Sequence, residues 1–357
     1  MNKGATPSDH QGDIRTFALP QVERFQSTLR REPTSAKSTK MAIISKGDGY
    51  IIRNPDNVEE VQALFWPFMN ELGWNRSKLD GLTHYVTAGA ASWFLLCPTD
   101  SPKPEGFICA FTSANATGWI GFFCINAPYR GRGWGTPLFQ ASLDLFKARG
   151  MEFVGLDAVE QQVGTYTRRG FVDVARVRTM IRPAFAEMPL EAPRGRTVVG
   201  ERLVDVREIA KEALVGSDFK HTGMERRSLW TDDALFHRTD TTGFAIVGAD
   251  GGRLRGWILS RTSITGHRIG PLYAESARLA SVLVHAVLEN LQRAEGDFAA
   301  EIPVDNIAAQ SAFEHAGFAV GGPDMHCMWL DGKVPEEQKP GGKAATCAYA
   351  WFDAGQG

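Results

Sequence analysis

No apolar run in the chain approaches the roughly 18 to 20 residues of a membrane-spanning helix, so nothing in the sequence predicts a membrane protein. Charge of one dominant sign is also missing. Lys and Arg number 39 against 41 Asp and Glu, leaving a formal net charge of −2. That balance gives neither the basic surface of a nucleic-acid binder nor the acidic excess of a disordered tail. Cysteine is scarce: five residues, at 97, 109, 124, 327 and 347, an odd number without a Cys-x-x-Cys pair. The eight histidines form neither H-E-x-x-H nor a Cys/His cluster, so no metal is expected. The absences together predict a soluble protein of a reducing cytoplasm, without a nucleic-acid or membrane partner. Nothing in the sequence indicates an oligomer. At 357 residues and 43% hydrophobic, the chain has material for two cores.

Residues 1–40 are polar, rich in Ser, Thr, Lys, Pro and Gln, and weakly periodic; they read as a disordered extension. They lack the apolar core of a secretory signal, and Asp9, Asp13, Glu23 and Glu32 argue against a mitochondrial presequence.

The chain is organised around residues 119–140. An apolar strand (Trp119-Ile120-Gly121-Phe122-Phe123-Cys124-Ile125) runs into a turn, Arg130-Gly131-Arg132-Gly133-Trp134-Gly135-Thr136. That turn opens an amphipathic helix carrying Leu138, Phe139, Leu143 and Phe146 at helical spacing. A helix start presents backbone N–H groups without intrahelical partners and partial positive charge. Glycines let that backbone come close to a ligand, and two arginines add attraction for a polyanion. The stretch therefore reads as an anion site of pyrophosphate size. It is not a P-loop, since no Lys-Ser or Lys-Thr follows the glycines, nor a dinucleotide fingerprint.

Arg130-x-x-Gly133-x-Gly135 resembles the coenzyme A pyrophosphate loop of the GNAT superfamily of acyl-CoA-dependent N-acyltransferases. After the helix come a strand, Phe153 to Asp157, and a helix ending in Tyr166-x-x-x-Gly170-Phe171, in the order of that superfamily. The resemblance implies an α/β fold with a twisted mixed sheet flanked by helices. It implies acetyl-CoA as co-substrate, held by Phe123, Cys124, Ile125 and residues Arg130, Gly131, Arg132, Gly133, Trp134, Gly135 and Thr136. It also implies that Tyr166 protonates the departing thiolate. No general base stands out; Asp157, Glu160 or a water relay are the candidates, although capping or solvation suits either carboxylate better. Cys124 suits a small buried hydrophobe, which favours direct transfer over a covalent acyl-enzyme.

The rest of the first part follows the same order. Strands are expected at 49–53, 92–97, 106–112 and 172–181, and helices from Asn57 and over about 77–88, with Pro67 ending the first one early. Trp74 suits core packing better than an acceptor pocket. Prolines at 183, 189 and 193 mark a linker over 183–196. Beyond it the pattern partly repeats, ending a helix in Phe313-Glu314-His315-Ala316-Gly317-Phe318 after Asp305-Asn306 opens it. This second copy has Gly270-Pro271-Leu272-Tyr273-Ala274-Glu275 in place of the arginine-glycine loop and Phe313 in place of the tyrosine, so it is expected not to be a second active site. The predicted organisation is a tandem GNAT protein: a catalytic domain at 41–182 and a degenerate one at 197–357. The predicted activity is acetyl transfer to a primary amine of a small molecule. A protein-lysine or polyamine acceptor, or a non-catalytic acyl-CoA sensor or scaffold, are the alternatives.

Overall fold

The computed structural model describes residues 42–191, 197–236, 238–249 and 252–357. The expected 1–40 extension and positions 192–196 of the expected linker lie outside the described residues. Two strands at the start, β1 (Ile43–Gly47) and β2 (Tyr50–Arg53), form a hairpin. Helix α1 (Val58–Glu71) follows, capped by the Asn57 side chain, which accepts from the Glu60 N–H at 2.9 Å. Contrary to expectation α1 runs through Pro67. That residue lies on the exposed face, where water can take the carbonyl that its missing N–H leaves free.

Next come α2 (Asp80–Ala88), β3 (Trp93–Pro98), β4 (Gly106–Thr112), β5 (Thr117–Ile125), α3 (Gly135–Ala148), β6 (Phe153–Ala158), the single-turn α4 (Val163–Thr167) and β7 (Phe171–Arg182). The second half comprises β8 (Arg202–Asp205), α5 (Lys211–Thr222), β9 (Thr241–Val247), β10 (Leu254–Thr262), β11 (Gly266–Ala274), α6 (Ala277–Asn290) and β12 (Asp297–Pro303). It ends with α7 (Ile307–His315), β13 (Ala319–Val320), β14 (Met325–Leu330), α8 (Lys343–Cys347) and β15 (Ala348–Ala350).

All the strands join one mixed sheet, whose main path is β1-β2-β3-β4-β5-β6-β14-β7-β12-β11-β10-β9-β8. Each half repeats one plan. Three antiparallel strands lead through a helix to a parallel neighbour: β3-β4-β5 to β6, and β9-β10-β11 to β12. The two halves interlock. β14, from the second half, lies between β6 and β7, with Cys327 opposite Asp157 on one side and Ala175 on the other.

Apolar residues sort by strand parity to the two faces. On one face α3 and α4 cover a core with Phe139, Phe146, Leu156, Tyr166 and Phe171, while α6 and α7 cover a second core built on Leu283, Phe298 and Phe313. The opposite face carries one core common to both halves, from Phe65 and Trp93 through Trp119 and Trp329 to Trp230 and Trp257. Trp74 is half-buried against that core, as its packing role required.

Candidate active site

Both parallel pairs splay. β5 and β6 pair only from Thr117–Phe153 to Trp119–Gly155. Beyond that point the facing backbone edges of 120–125 and 156–158 pair with no strand among the described residues, leaving a slot. In the second half β11 and β12 pair from Gly266–Asp297 to Ile269–Ala300, and there β15 fills the divergence by pairing with Leu272 and Tyr273. Residues 270–274, read from sequence as the counterpart of the glycine loop, continue strand β11. Pro271 is tolerated because it lies past the last β12 pair, where no ladder bond is lost. Phe313 is fully buried in the core of its half.

The slot of the first half opens onto the predicted loop. A bulge in β5 shifts the register between Phe107 and Cys109 of β4, and Phe122 there takes a φ of 57°. Gly131 and Gly133 have φ values of 76° and 80°, where a side chain would be strained although nothing lies within 4 Å of a built Cβ. Among the described residues the N–H groups of positions 131–134 make no hydrogen bond, while the Thr136 N–H is already given to the Gly133 carbonyl at 3.2 Å. Helix α3 begins without a side-chain cap. The loop thus presents free donors at a helix start, the arrangement that binds anions.

The predicted loop residues divide by role. Arg130 is exposed and donates from Nε to the Ile125 carbonyl at 2.6 Å, fastening the end of β5 to the loop. Arg132 lies 4.9 Å from the rings of both Tyr129 and Trp134 and 3.7 Å from Asp100. Trp134 packs its ring 5.5 Å from Tyr50, so its side chain braces the loop. Phe123 and Ile125 are half-buried, and a Cβ at Gly135 would sit 3.2 Å from the Phe123 ring, which couples the strand end to the helix start.

Tyr166 is 8% exposed, with its ring 5.8 Å from Phe139 and 6.3 Å from Phe171. Among the described residues its hydroxyl makes no hydrogen bond. Burial pushes its pKa well up and nearby Cys124 adds to the shift, so the phenol holds its proton at neutral pH. Burial likewise pushes the Cys124 thiol up to about 12, which leaves it a packed thiol and not a nucleophile. Glu160 bonds His326 Nε2 at 2.7 Å instead of capping a helix. Asp157 faces away from Tyr166: on β6, Val154, Leu156 and Ala158 join the α3-side core, whereas Asp157 lines a cavity on the other face.

That cavity is bounded by Trp119, Asp157, Arg176, Cys327 and Trp351. Trp351 and Gly357 of the C-terminal segment, some 230 residues from β5, line it as well. Trp119 donates from its indole to the Ala354 carbonyl at 3.0 Å, and a Cβ at Gly121 would collide with the Gly355 carbonyl at 2.0 Å. A buried ionic network seats this segment. Arg261 donates to the Phe352 carbonyl at 3.0 Å and to Asp353 at 2.8 Å, Arg76 reaches Asp353 at 3.1 Å, and His84 Nδ1 meets Gln356 at 3.0 Å. Asp80, His84 and Asp353 converge closely enough to ligate a metal ion. However, Arg238 and Arg261 already supply positive charge to Asp80, holding it well below the usual carboxylate range despite its burial.

With this geometry established, residues 58–171 match the GNAT acetyltransferase family and residues 216–339 match a GNAT acetyltransferase domain. The holothin acyltransferase of Pseudoalteromonas sp. (strain SANK 73390) is 26% identical over 227 residues, 62% of this chain and 69% of that protein. Among solved structures, a Pyrococcus horikoshii protein to which acetyltransferase activity is ascribed is 22% identical and aligns with a TM-score of 0.66, covering 88% of this chain and 98% of that one. A tandem GNAT protein from the clavulanic acid biosynthesis pathway is 13% identical, with a TM-score of 0.54 over 78% of this chain and 97% of its own. At these identities the structural likeness is one of fold.

Proposed function

The chain belongs to the GNAT superfamily of acyltransferases, in its tandem form, and on that footing we propose that it is an acetyl-CoA-dependent N-acetyltransferase of small primary amines. Residues 41–182 form the catalytic domain in this reading, 183–196 the linker and 197–357 the degenerate domain. One observation carries it: the slot between β5 and β6 is open and leads from unpaired loop donors to Tyr166, while the matching slot in the second half is filled by β15.

Pyrophosphate is held by the free N–H groups of 131–134 and the start of α3, with Arg130 and Arg132 adding charge. The pantetheine arm lies along the exposed edge of β5. Tyr166, which keeps its proton, gives it to the departing thiolate. Direct transfer in a ternary complex is favoured because Cys124 remains protonated. A cavity walled by Trp119 and Trp351 suits a small acceptor. Five unpaired cysteines accord with a reducing cytoplasm, and no helix among the described residues is long and apolar enough to cross a membrane.

Calorimetric titration of acetyl-CoA into the full chain tests this, with a Gly133→Glu/Gly135→Glu variant as control. One site of about micromolar Kd, lost in the variant, is expected. Binding that survives the variant would refute the loop assignment, and binding without turnover of any amine would favour a sensor.

A further inference from the structure

We propose that Asp157 is the catalytic base of the transfer and that the cavity around it receives the amine. The inference rests on the acyltransferase reading above. Strand parity places Asp157 two residues beyond the last β5–β6 pair, at the mouth of the slot, on the face opposite Tyr166. A thioester lying in the slot then has a proton donor on one side and a proton acceptor on the other. The acceptor amine, approaching through the cavity, meets the carbonyl carbon between them.

Asp157 is suited to that role by what it lacks. Among the described residues its buried Oδ1 makes no hydrogen bond and no arginine or lysine pairs with the carboxylate, although buried carboxylates elsewhere in this protein are multiply paired. An unpaired buried oxygen aimed into a cavity costs stability and is retained where a ligand completes it. The charged and titratable groups about it are Cys327, opposite it on β14, Arg176 and Asp305 on the cavity wall, and Glu301 and Asp353 of the ionic network. Burial and repulsion from Glu301 and Asp353 outweigh the hydrogen bond with Cys327 and raise its pKa well above the usual carboxylate value. Trp119 and Trp351 flank the same space and supply flat apolar walls. The acceptor class they fit is a primary amine on a small planar or apolar body.

The step balances. The amine nitrogen attacks the thioester carbonyl carbon and forms the C–N bond, its N–H proton passes to the Asp157 carboxylate, the C–S bond breaks, and the sulfur takes the Tyr166 proton. Solvent then resets both groups.

The test measures coenzyme A thiol release by the full chain and by Asp157→Asn, over pH 6 to 9.5. The probes are a panel of arylalkyl and alkyl primary amines, with spermidine and a lysine peptide alongside. At least one arylalkyl amine is expected to turn over. Asp157→Asn should lose about 100-fold or more in kcat, keep the wild-type KM for acetyl-CoA and melting temperature, and move its acid limb to the pKa of the amine itself. A variant that keeps kcat within twofold and the wild-type pH profile overturns the assignment of the base. Turnover confined to spermidine or the lysine peptide, or no turnover while acetyl-CoA binds, overturns the cavity as acceptor site. Failure of the wild type to bind acetyl-CoA would instead overturn the underlying acyltransferase reading.

Discussion

Asn306 donates from Nδ2 to the backbone carbonyl of Ala348 at 2.7 Å, while its Oδ1 accepts from the Ala309 N–H at 3.1 Å. One buried side chain thus caps α7 and fastens β15, the strand that fills the slot of the second half. Asn306→Ala should lose a cap and a buried hydrogen bond together, about 2 to 3 kcal/mol. Urea unfolding measures that loss. Affinity for acetyl-CoA, read in the same preparations, should be unaffected because the loop at 130–136 is on the other half.

Tyr166→Phe separates chemistry from folding. The ring is held by Phe139 and Phe171, and the hydroxyl makes no hydrogen bond among the described residues, so the melting temperature should be unchanged or slightly higher. The kcat should fall about 100-fold or more with little change in the Kd for acetyl-CoA. An unchanged kcat would remove Tyr166 from the reaction.

His326 ties the segment before α4 to β7 and β14, with Nε2 to Glu160 and Nδ1 to Asp173, both at 2.7 Å. Burial lowers its pKa, but the bonds to Asp173 and Glu160 outweigh burial and the net direction is upward. A raised histidine contributes stability that is full below its unfolded value of about 6.5 and lost as pH rises through the folded value. Melting temperature should therefore fall between pH 6 and pH 9 in the wild type, and His326→Gln should flatten that portion of the curve. A variant with the wild-type slope would show that the clasp does not titrate there.

Arg261→Met leaves Asp80 and Asp353 buried with one partner fewer each, and both are fully inaccessible. Breaking such a network from one side costs about 3 to 5 kcal/mol. Because the same arginine holds the Phe352 carbonyl, the wall of the cavity should loosen as well. Hydrogen exchange of the amides of 351–357 should accelerate in the variant relative to those of β3 and β4. Equal protection in both proteins would show that the network does not seat the segment.

The loop at 130–136 was legible because its signal is local: glycines, arginines and a helix start within a few residues, read against a helical period that α3 obeys. The strands of the first half were legible for the same reason, apart from β1, which exposes most of its residues and shows no alternation of burial. β8 and α5 were missed because their apolar residues are few and weakly ordered. The wall formed by 351–357 and the network of Asp80, Arg261 and Asp353 join residues far apart in sequence, each an ordinary charge in its own neighbourhood. No periodicity reports such a meeting. Asp157 was visible only as a carboxylate at a strand end; its unpaired oxygen emerges from what surrounds it.

The position of β14 also bears on how the protein is made. The ribosome releases β6 and β7 early, yet the strand that lies between them comes about 150 residues after β7. At about 5 to 20 residues per second, the first sheet waits roughly 10 to 30 s with its hydrogen-bonding edges unsatisfied. Nascent chains stalled before residue 325 should therefore be the species that chaperones hold and proteases cut, and a gene cut between the halves should yield two insoluble pieces that fold only when made together.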